Sequence, residues 1–362
     1  MPRHIQITQD MANRRNDRPK EIEWMGRSIK TIHYMDITDE QRQEIEDGWY
    51  AKPDICEVFD QLRSISKGGK IMSKVTLYYF NELMSKVQVE YAKWTMEELL
   101  KSKELVGMIL EKIEGAPRVF KPEYPVMYNF KRCIQLGGKG YVGFPTQFPL
   151  KTVDAILERH CPEGGDWYDF SCGWGSRLIG ALRNKVNYHG TDPNNELCIQ
   201  LGFLTTHYFM ATEQQYDMEC KGDGLSIFTP EQQIDIRCSG SEVYHSEWEG
   251  SMDLCFSSPP YFNLEDYKIG NQSWKPGMSY KQWVDSYLRP TIQNCYRYLK
   301  TGGKFVCNIK NFNGLDLEGD VCSIASSVGM QYEGIDKLEQ GNRILCTAKL
   351  GDSSEKCFVF VK

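Results

Sequence analysis

The five residues Ser258, Pro259, Pro260, Tyr261 and Phe262 bring a hydroxyl, a rigid carbonyl and two aromatic faces together directly behind the apolar run Leu254, Cys255 and Phe256. Consecutive prolines can neither donate to a β-ladder nor continue one, so the run reads as a buried strand that stops at Ser258. The extended Pro-Pro segment then holds Tyr261 and Phe262 just past a strand end, where open α/β sheets bind ligands. This grouping suits a flat, amine-bearing ring. The hydroxyl and the Pro259 carbonyl can accept from the amine while the Tyr261 ring stacks. Two prolines before an aromatic also form plain turns, and taken alone the segment supports either reading.

A second constellation lies upstream. Trp167 to Ser171 reads as a strand, Cys172-Gly173-Trp174-Gly175-Ser176 as a tight glycine turn, and Arg177 to Asn184 as a helix presenting Leu178, Ile179 and Leu182. Gly173 and Gly175 let the backbone turn and approach a ligand closely, as at the first βα junction of dinucleotide-type folds. The loop lacks the Lys-Ser/Thr pair of a phosphate-binding P-loop and the full G-x-G-x-x-G spacing. A second strand, Val186 to Thr191, ends at Asp192. An acid about 20 residues beyond the glycines is placed to accept from ribose hydroxyls. Further on, Asp223 in Lys221-Gly222-Asp223-Gly224 could accept the amine of an adenine, and Asp-Gly is equally an ordinary turn.

Positioning these groups calls for a large domain. At 362 residues with 41% hydrophobic content, the chain can bury a sizeable core and carry a smaller second lobe. No run of 18 apolar residues occurs, and the start, Met1-Pro2-Arg3-His4, is polar and unlike a signal core. A cytoplasmic protein with no membrane association is expected. The 13 cysteines are scattered without a C-x-x-C pair, which reads as reduced structural thiols and no metal site. A net charge of −6 argues against a globally basic nucleic-acid coat, leaving local patches to make any such contact.

The first 30 residues are polar and mildly basic, a solvated terminus or a phosphate-touching arm. Thr38 with Gln41 and Thr95 with Glu98 have capping-box spacing, the second opening a helix through about Ile113. Phe80, Leu83, Met84, Val87, Tyr91 and Trp94 recur at helical spacing between them. Lys67, Lys70, Lys74, Lys86 and Lys93 form either a solvated face or a DNA-facing one. The pattern breaks in 115–125, and 137–145 reads as a loop. From Trp167 onward strands and helices alternate. Residues 263–279 read as a mobile loop over the site, followed by a helix carrying Trp283, Tyr287, Ile292 and Leu299 that Thr301-Gly302-Gly303 stops. Lys304 to Ile309 is a strand, and Arg343 to Leu350 with Cys357 to Val361 form a terminal antiparallel hairpin. The expected division is a helical lobe, 1–120, which could recognise DNA, and an α/β domain, 121–362.

With these pieces in order, the chain from about 144 to 362 resembles S-adenosylmethionine-dependent methyltransferases. The closer likeness is to DNA amino-methyltransferases, including those of bacteriophages. The resemblance implies a Rossmann-like class I sheet, mostly parallel with a C-terminal antiparallel hairpin, and S-adenosylmethionine as cofactor. It assigns Asp169, Phe170, Cys172, Gly173 and Gly175 to the cofactor motif, Asp192 with Pro193 to the ribose and Asp223 to the adenine. Ser258, Pro259, Pro260 and Tyr261 match the catalytic motif, with Phe262 assisting. The implied reaction methylates an exocyclic amine of a base flipped out of duplex DNA. Ser in the first motif position favours N4 of cytosine over N6 of adenine. Methylation of RNA or of a protein amide, and a degenerate protein that only binds nucleic acid, are the competing readings. The family's separate recognition domain after the catalytic motif has no counterpart here.

Overall fold

The computed structural model describes residues 37–90, 92–114, 130, 142–337 and 356–362, with the backbone of short strands at 15–16, 20–24, 27–31, 34–35 and 346–347. Contacts divide the chain into two compact units that interleave in sequence. One comprises Met1–Lys52, Asn81–Pro145 and Glu265–Lys268, the other Pro53–Phe80, Thr146–Leu264 and Ile269–Lys362. The boundary expected near residue 120 falls outside the described residues.

Among the described residues the second unit is built on ten strands: β1 (Asp166–Asp169), β2 (Asn187–Thr191), β3 (Asp217–Lys221), β4 (Gly224–Phe228), β5 (Gln233–Arg237), β6 (Met252–Ser257), β7 (Leu299–Ile309), β8 (Gln331–Lys337), β9 (Cys346–Thr347) and β10 (Lys356–Val361). They form one sheet in the order β9-β8-β10-β7-β6-β1-β2-β5-β4-β3. The five central strands, β7 to β5 in that order, run parallel. β10 is antiparallel to both β7 and β8, and β4 and β3 continue the other side as an antiparallel hairpin. The architecture is thus the Rossmann-like one expected. β1 connects onward to β2 on one side while β6 lies on its other side, so strand order reverses between β1 and β6, the place where such sheets open a crevice at their carboxyl ends.

Among the described residues seven helices accompany this sheet: α1 (Ile55–Ser66), α2 (Ser73–Tyr79), α3 (Leu150–His160), α4 (Ser176–Asn184), α5 (Asn195–Ala211), α6 (Arg289–Tyr298) and α7 (Leu317–Ser327). A short turn of helix, Tyr280–Trp283, and a π turn, Val284–Leu288, lead into α6. Pro290 explains the π turn, because proline offers no N–H to the preceding turn and its ring crowds that carbonyl. Alternation of side chains along β1 serves both layers. Tyr168 joins a core with Phe305, Trp283, Tyr298 and Leu317, while Trp167 stacks on Phe256 at 5.5 Å and donates its indole N–H to the Phe256 carbonyl at 2.9 Å.

In the first unit both capping boxes form, at Thr38 with Gln41 and at Thr95 with Glu98. They open helices Asp39–Tyr50 and Met96–Leu100 around a core that includes Ile45, Trp49, Trp94 and Leu99.

Several expectations need correction. The helical spacing from Phe80 to Trp94 is not one helix: Asn81–Ser85 is a single turn, and Gln88–Val89 pairs antiparallel with Glu265–Asp266. A strand pairing therefore overrides the local period and also places order inside the expected 263–279 loop. Tyr91 lies outside the described residues. The helix from Thr95 breaks at Ser102, whose hydroxyl accepts from Leu105 N–H at 3.2 Å and opens Lys103–Glu114. Gly302 and Gly303 lie within β7, and α6 already ends at Tyr298. β10 pairs with β8, a strand that the hydrophobic pattern does not reveal, and the short β9 pairs with β8 instead of with β10. The rest of 343–350, the break at 115–125 and most of the 137–145 loop lie outside the described residues. Lys20–Trp24 and Arg27–Thr31, expected within a polar arm, pair antiparallel.

Candidate active site

The glycine loop follows β1. Cys172, buried, donates its N–H to the Thr191 carbonyl at 3.1 Å, which ties the loop to the end of β2. Gly173 and Gly175 take φ of 58° and 79°, a region that disfavours any residue with a Cβ. A Cβ on Gly175 would also come within 2.8 Å of the Phe80 ring. Beneath the loop Asp169 has no exposed surface; it accepts from Arg177 Nε at 2.8 Å and from the Tyr188 hydroxyl at 2.8 Å. Arg177 also donates to the Ser171 carbonyl. Burial alone would push the Arg177 guanidinium down, and Asp169 more than offsets it. Asp169 and Arg177 thus brace the loop from below. Phe170 is likewise buried, stacked on Phe305 at 5.8 Å.

Asp192 follows β2, nearly buried, with Oδ1 accepting from Asn194 N–H at 3.0 Å. Its pKa is pushed up to about 6, chiefly by burial and further by Asp169, against the lowering effect of the Asn194 and Gly173 N–H groups. The Pro193 carbonyl accepts from Asn271 Nδ2 at 2.8 Å, and Asn194 caps α5 by accepting from Leu197 N–H at 3.2 Å.

β6 stops at Ser257, one residue earlier than the proline pattern predicts. Ser257 is fully buried and its Oγ donates to the Ser171 carbonyl at 3.3 Å, so the glycine loop and the proline motif meet at the point where strand order reverses. Pro259 is buried; Ser258, Pro260, Tyr261 and Phe262 are half-buried. The Tyr261 carbonyl accepts from Leu264 N–H at 3.0 Å, closing a turn. Phe262 sits at φ 51°, a strained conformation for an aromatic residue, and its ring enters an aromatic group with Tyr280 at 5.6 Å, Trp283 at 5.9 Å and Trp274 at 6.5 Å.

Asp223 is placed differently. With Gly222 it forms the two-residue turn between β3 and β4, its side chain about half exposed and 3.7 Å from Arg237 Nη1. Its carbonyl accepts from Cys238 N–H at 2.7 Å, which keeps the turn beside the end of β5.

Three contributors are not evident from the sequence alone. Glu242, in the loop between β5 and β6, has a buried Oε2 without a hydrogen-bond partner among the described residues, and burial pushes its carboxyl up. Glu242 and Asp192 both lie within electrostatic reach of the buried Tyr287 hydroxyl. An acid in a polar run just past a strand end is the available signal. Gln147 donates to the Trp174 carbonyl at 2.9 Å, and Phe148 packs on Phe256 at 5.6 Å and under Arg177 at 5.8 Å, so the segment before α3 lines the glycine loop. Among the described residues no group of three or more His, Cys, Asp or Glu is placed to hold a metal, and no helix is long and apolar enough to cross a membrane.

No protein-family model and no curated protein matches the sequence. Among solved structures, a TehB-like S-adenosylmethionine-dependent methyltransferase from Corynebacterium glutamicum is 18% identical, with 70% of this chain and 99% of that one covered and a TM-score of 0.36. The [4+2]-cyclase SpnF is 14% identical, over 52% of this chain and 59% of its own, at 0.36. A 1,6-didemethyltoxoflavin-N1-methyltransferase from Burkholderia thailandensis is 10% identical, over 59% and 77%, at 0.36. Likenesses this loose carry no weight for the reaction, and the fold stands on its strand order.

Proposed function

We propose that the protein is an S-adenosylmethionine-dependent methyltransferase acting on an exocyclic amine of a nucleic-acid base, with DNA as the substrate. The observation that carries this reading is the junction at the switch point, where Ser257 Oγ bonds the Ser171 carbonyl and so sets the glycine loop against the Ser258-Pro259-Pro260-Tyr261 turn. The residues suit the cofactor. Gly173 and Gly175 hold a tight turn at positive φ after β1, Asp192 offers a carboxylate to ribose hydroxyls, and the buried Glu242 oxygen, unpaired among the described residues, offers an acceptor for the adenine amine. We assign that acceptor to Glu242 because Asp223 is half exposed and faces Arg237.

When bound, S-adenosylmethionine supplies an electrophilic methyl group on a sulfonium. The chain supplies alignment and electrostatics. Ser258 Oγ and the Pro259 carbonyl accept the amine's hydrogens, which draws its lone pair out of conjugation with the ring and turns it toward the methyl donor. Tyr261 stacks on the base, which must leave the duplex to reach this depth. The strained Phe262 keeps Tyr261 at the crevice by anchoring the next position in the Trp274, Tyr280 and Trp283 group.

The test is nucleoside mass spectrometry of DNA from cells expressing the chain. N4-methylcytosine or N6-methyladenine is expected, with neither after Ser258→Ala and Tyr261→Ala are combined. Label from the methyl donor appearing only in RNA or protein would move the substrate, and cofactor binding without any transfer would leave a nucleic-acid-binding protein.

A further inference from the structure

Residues 269–279 come after the proline turn in sequence and are tied back to the other side of the crevice. Near the start of this segment Asn271 donates its Nδ2 to the Pro193 carbonyl at 2.8 Å, and Pro193 directly follows Asp192. Further on, Ser273 Oγ accepts the Trp283 indole N–H at 3.2 Å, and the Trp274 ring meets Phe262 edge-on at 6.5 Å. At the far end Met278 donates its N–H to the Lys275 carbonyl at 3.0 Å, in a turn with Gly277 at φ 85°. Ser279 with Gln282 then caps the helical turn that leads into α6.

Sheet order says what the segment spans. Pro193 lies past the end of β2 and Phe262 past the end of β6, with β1 between them and all three strands parallel. Two interstrand steps are about 10 Å, and three extended residues, from Asn271 to Trp274, also reach about 10 Å. The segment therefore bridges the mouth above the glycine loop, from the ribose-facing acid to the turn that carries Tyr261. Its two sides are held unequally. Trp274 and Met278 pack against the buried core that contains Trp283 and Tyr287, whereas Asn271 is exposed and holds Pro193 by a neutral hydrogen bond. Such a bond shifts an equilibrium by roughly three- to tenfold, so the Asn271 side opens readily while the Trp274 side stays in place.

We propose that residues 269–274 form a strap across the cofactor mouth, hinged at Trp274 and latched by Asn271 on the Pro193 carbonyl. Asn271 is then a positioning residue that gates the entry of S-adenosylmethionine and the exit of its demethylated product, S-adenosylhomocysteine. The inference rests on the cofactor reading given above. Because Trp274 meets Phe262, the neighbour of Tyr261, the strap that closes over the cofactor also braces the turn that receives the base.

Stopped-flow binding and displacement of S-adenosylhomocysteine with the full chain tests it. Loss of a gate speeds entry and exit alike, whereas loss of a contact to the ligand speeds exit alone. Asn271→Ala is expected to raise both rate constants about three- to tenfold, with an unchanged thermal midpoint because the side chain is exposed. Asn271→Asp keeps the shape but cannot donate to a carbonyl, and is expected to match Asn271→Ala. Lys275→Ala, exposed just beyond the strap, is the control and is expected to keep the parent's rates. Parent-like rates in either Asn271 variant, or faster exit with entry unchanged, overturn the strap and leave the cofactor reading standing. A parent that binds neither S-adenosylmethionine nor S-adenosylhomocysteine overturns both.

Discussion

Asp192 carries opposing demands. Its pKa, pushed from 3.8 to about 6 by burial, means that the folded protein binds a proton more tightly than the unfolded chain does. The stability this confers is fully present below the unfolded value and is lost as pH rises through about 6. At neutral pH the carboxylate therefore costs the ligand-free protein stability. Asp192→Asn is expected to stabilise it by up to about 3 kcal/mol in urea titrations at pH 7. The same change should weaken S-adenosylmethionine binding by roughly ten- to a hundredfold in calorimetry, since the ribose hydroxyls lose a charged acceptor. In the parent, affinity should fall as pH drops through about 6, and Asn should flatten that dependence. A variant that is less stable and binds equally well would remove Asp192 from the site. Glu242→Gln gives the complementary result, because an amide can turn its N–H₂ toward the amine; affinity should drop severalfold, while Asp223→Ala should change it little.

The elements that hold these residues differ in how plainly the sequence shows them. Capping boxes at Thr38 and Thr95, the glycine turn and the proline stop after β6 act over a few positions, so residue type alone reveals them. β3 and β8 are hard to see because edge and near-edge strands carry polar residues where a core strand would carry apolar ones, as in Gln331-Tyr332-Glu333. Glu242 is hidden for another reason. A buried carboxylate oxygen with no partner among the described residues exists only once the loop has folded, whereas Asp223 sits in a motif-like tetrad that the fold uses as a hairpin turn. Arg177 reads as an ordinary helix residue, yet it spans from α4 to Asp169 and Ser171. Arg177→Met should strand the buried Asp169 charge and destabilise the protein by about 3–5 kcal/mol in chemical denaturation, far beyond a surface substitution. A loss under about 1 kcal/mol would show that the loop does not depend on this brace.

At the scale of the whole molecule, the −6 net charge confines any nucleic-acid contact to local patches. Lys67 and Lys70 are exposed at the end of α1 and beyond it, while Lys74 already pairs with Glu57 at 2.7 Å. If DNA binds here, affinity falls with salt, and Lys67→Glu with Lys70→Glu lowers both the affinity and the salt slope. An unchanged slope would place the DNA surface elsewhere. The sheet itself makes a stronger demand, since its order brings two loops, distant in sequence, to one crevice between β1 and β6. The most direct test is single-turnover transfer of labelled methyl from saturating S-adenosylmethionine to duplex and single-stranded DNA, by the parent and Tyr261→Ala. Stacking is worth about 1–3 kcal/mol per base, so the variant should lose roughly ten- to a hundredfold in rate, more on the duplex, with cofactor affinity unchanged. Equal rates for parent and variant on both substrates, or no label in DNA at all, would contradict a methyl-transfer site at this crevice.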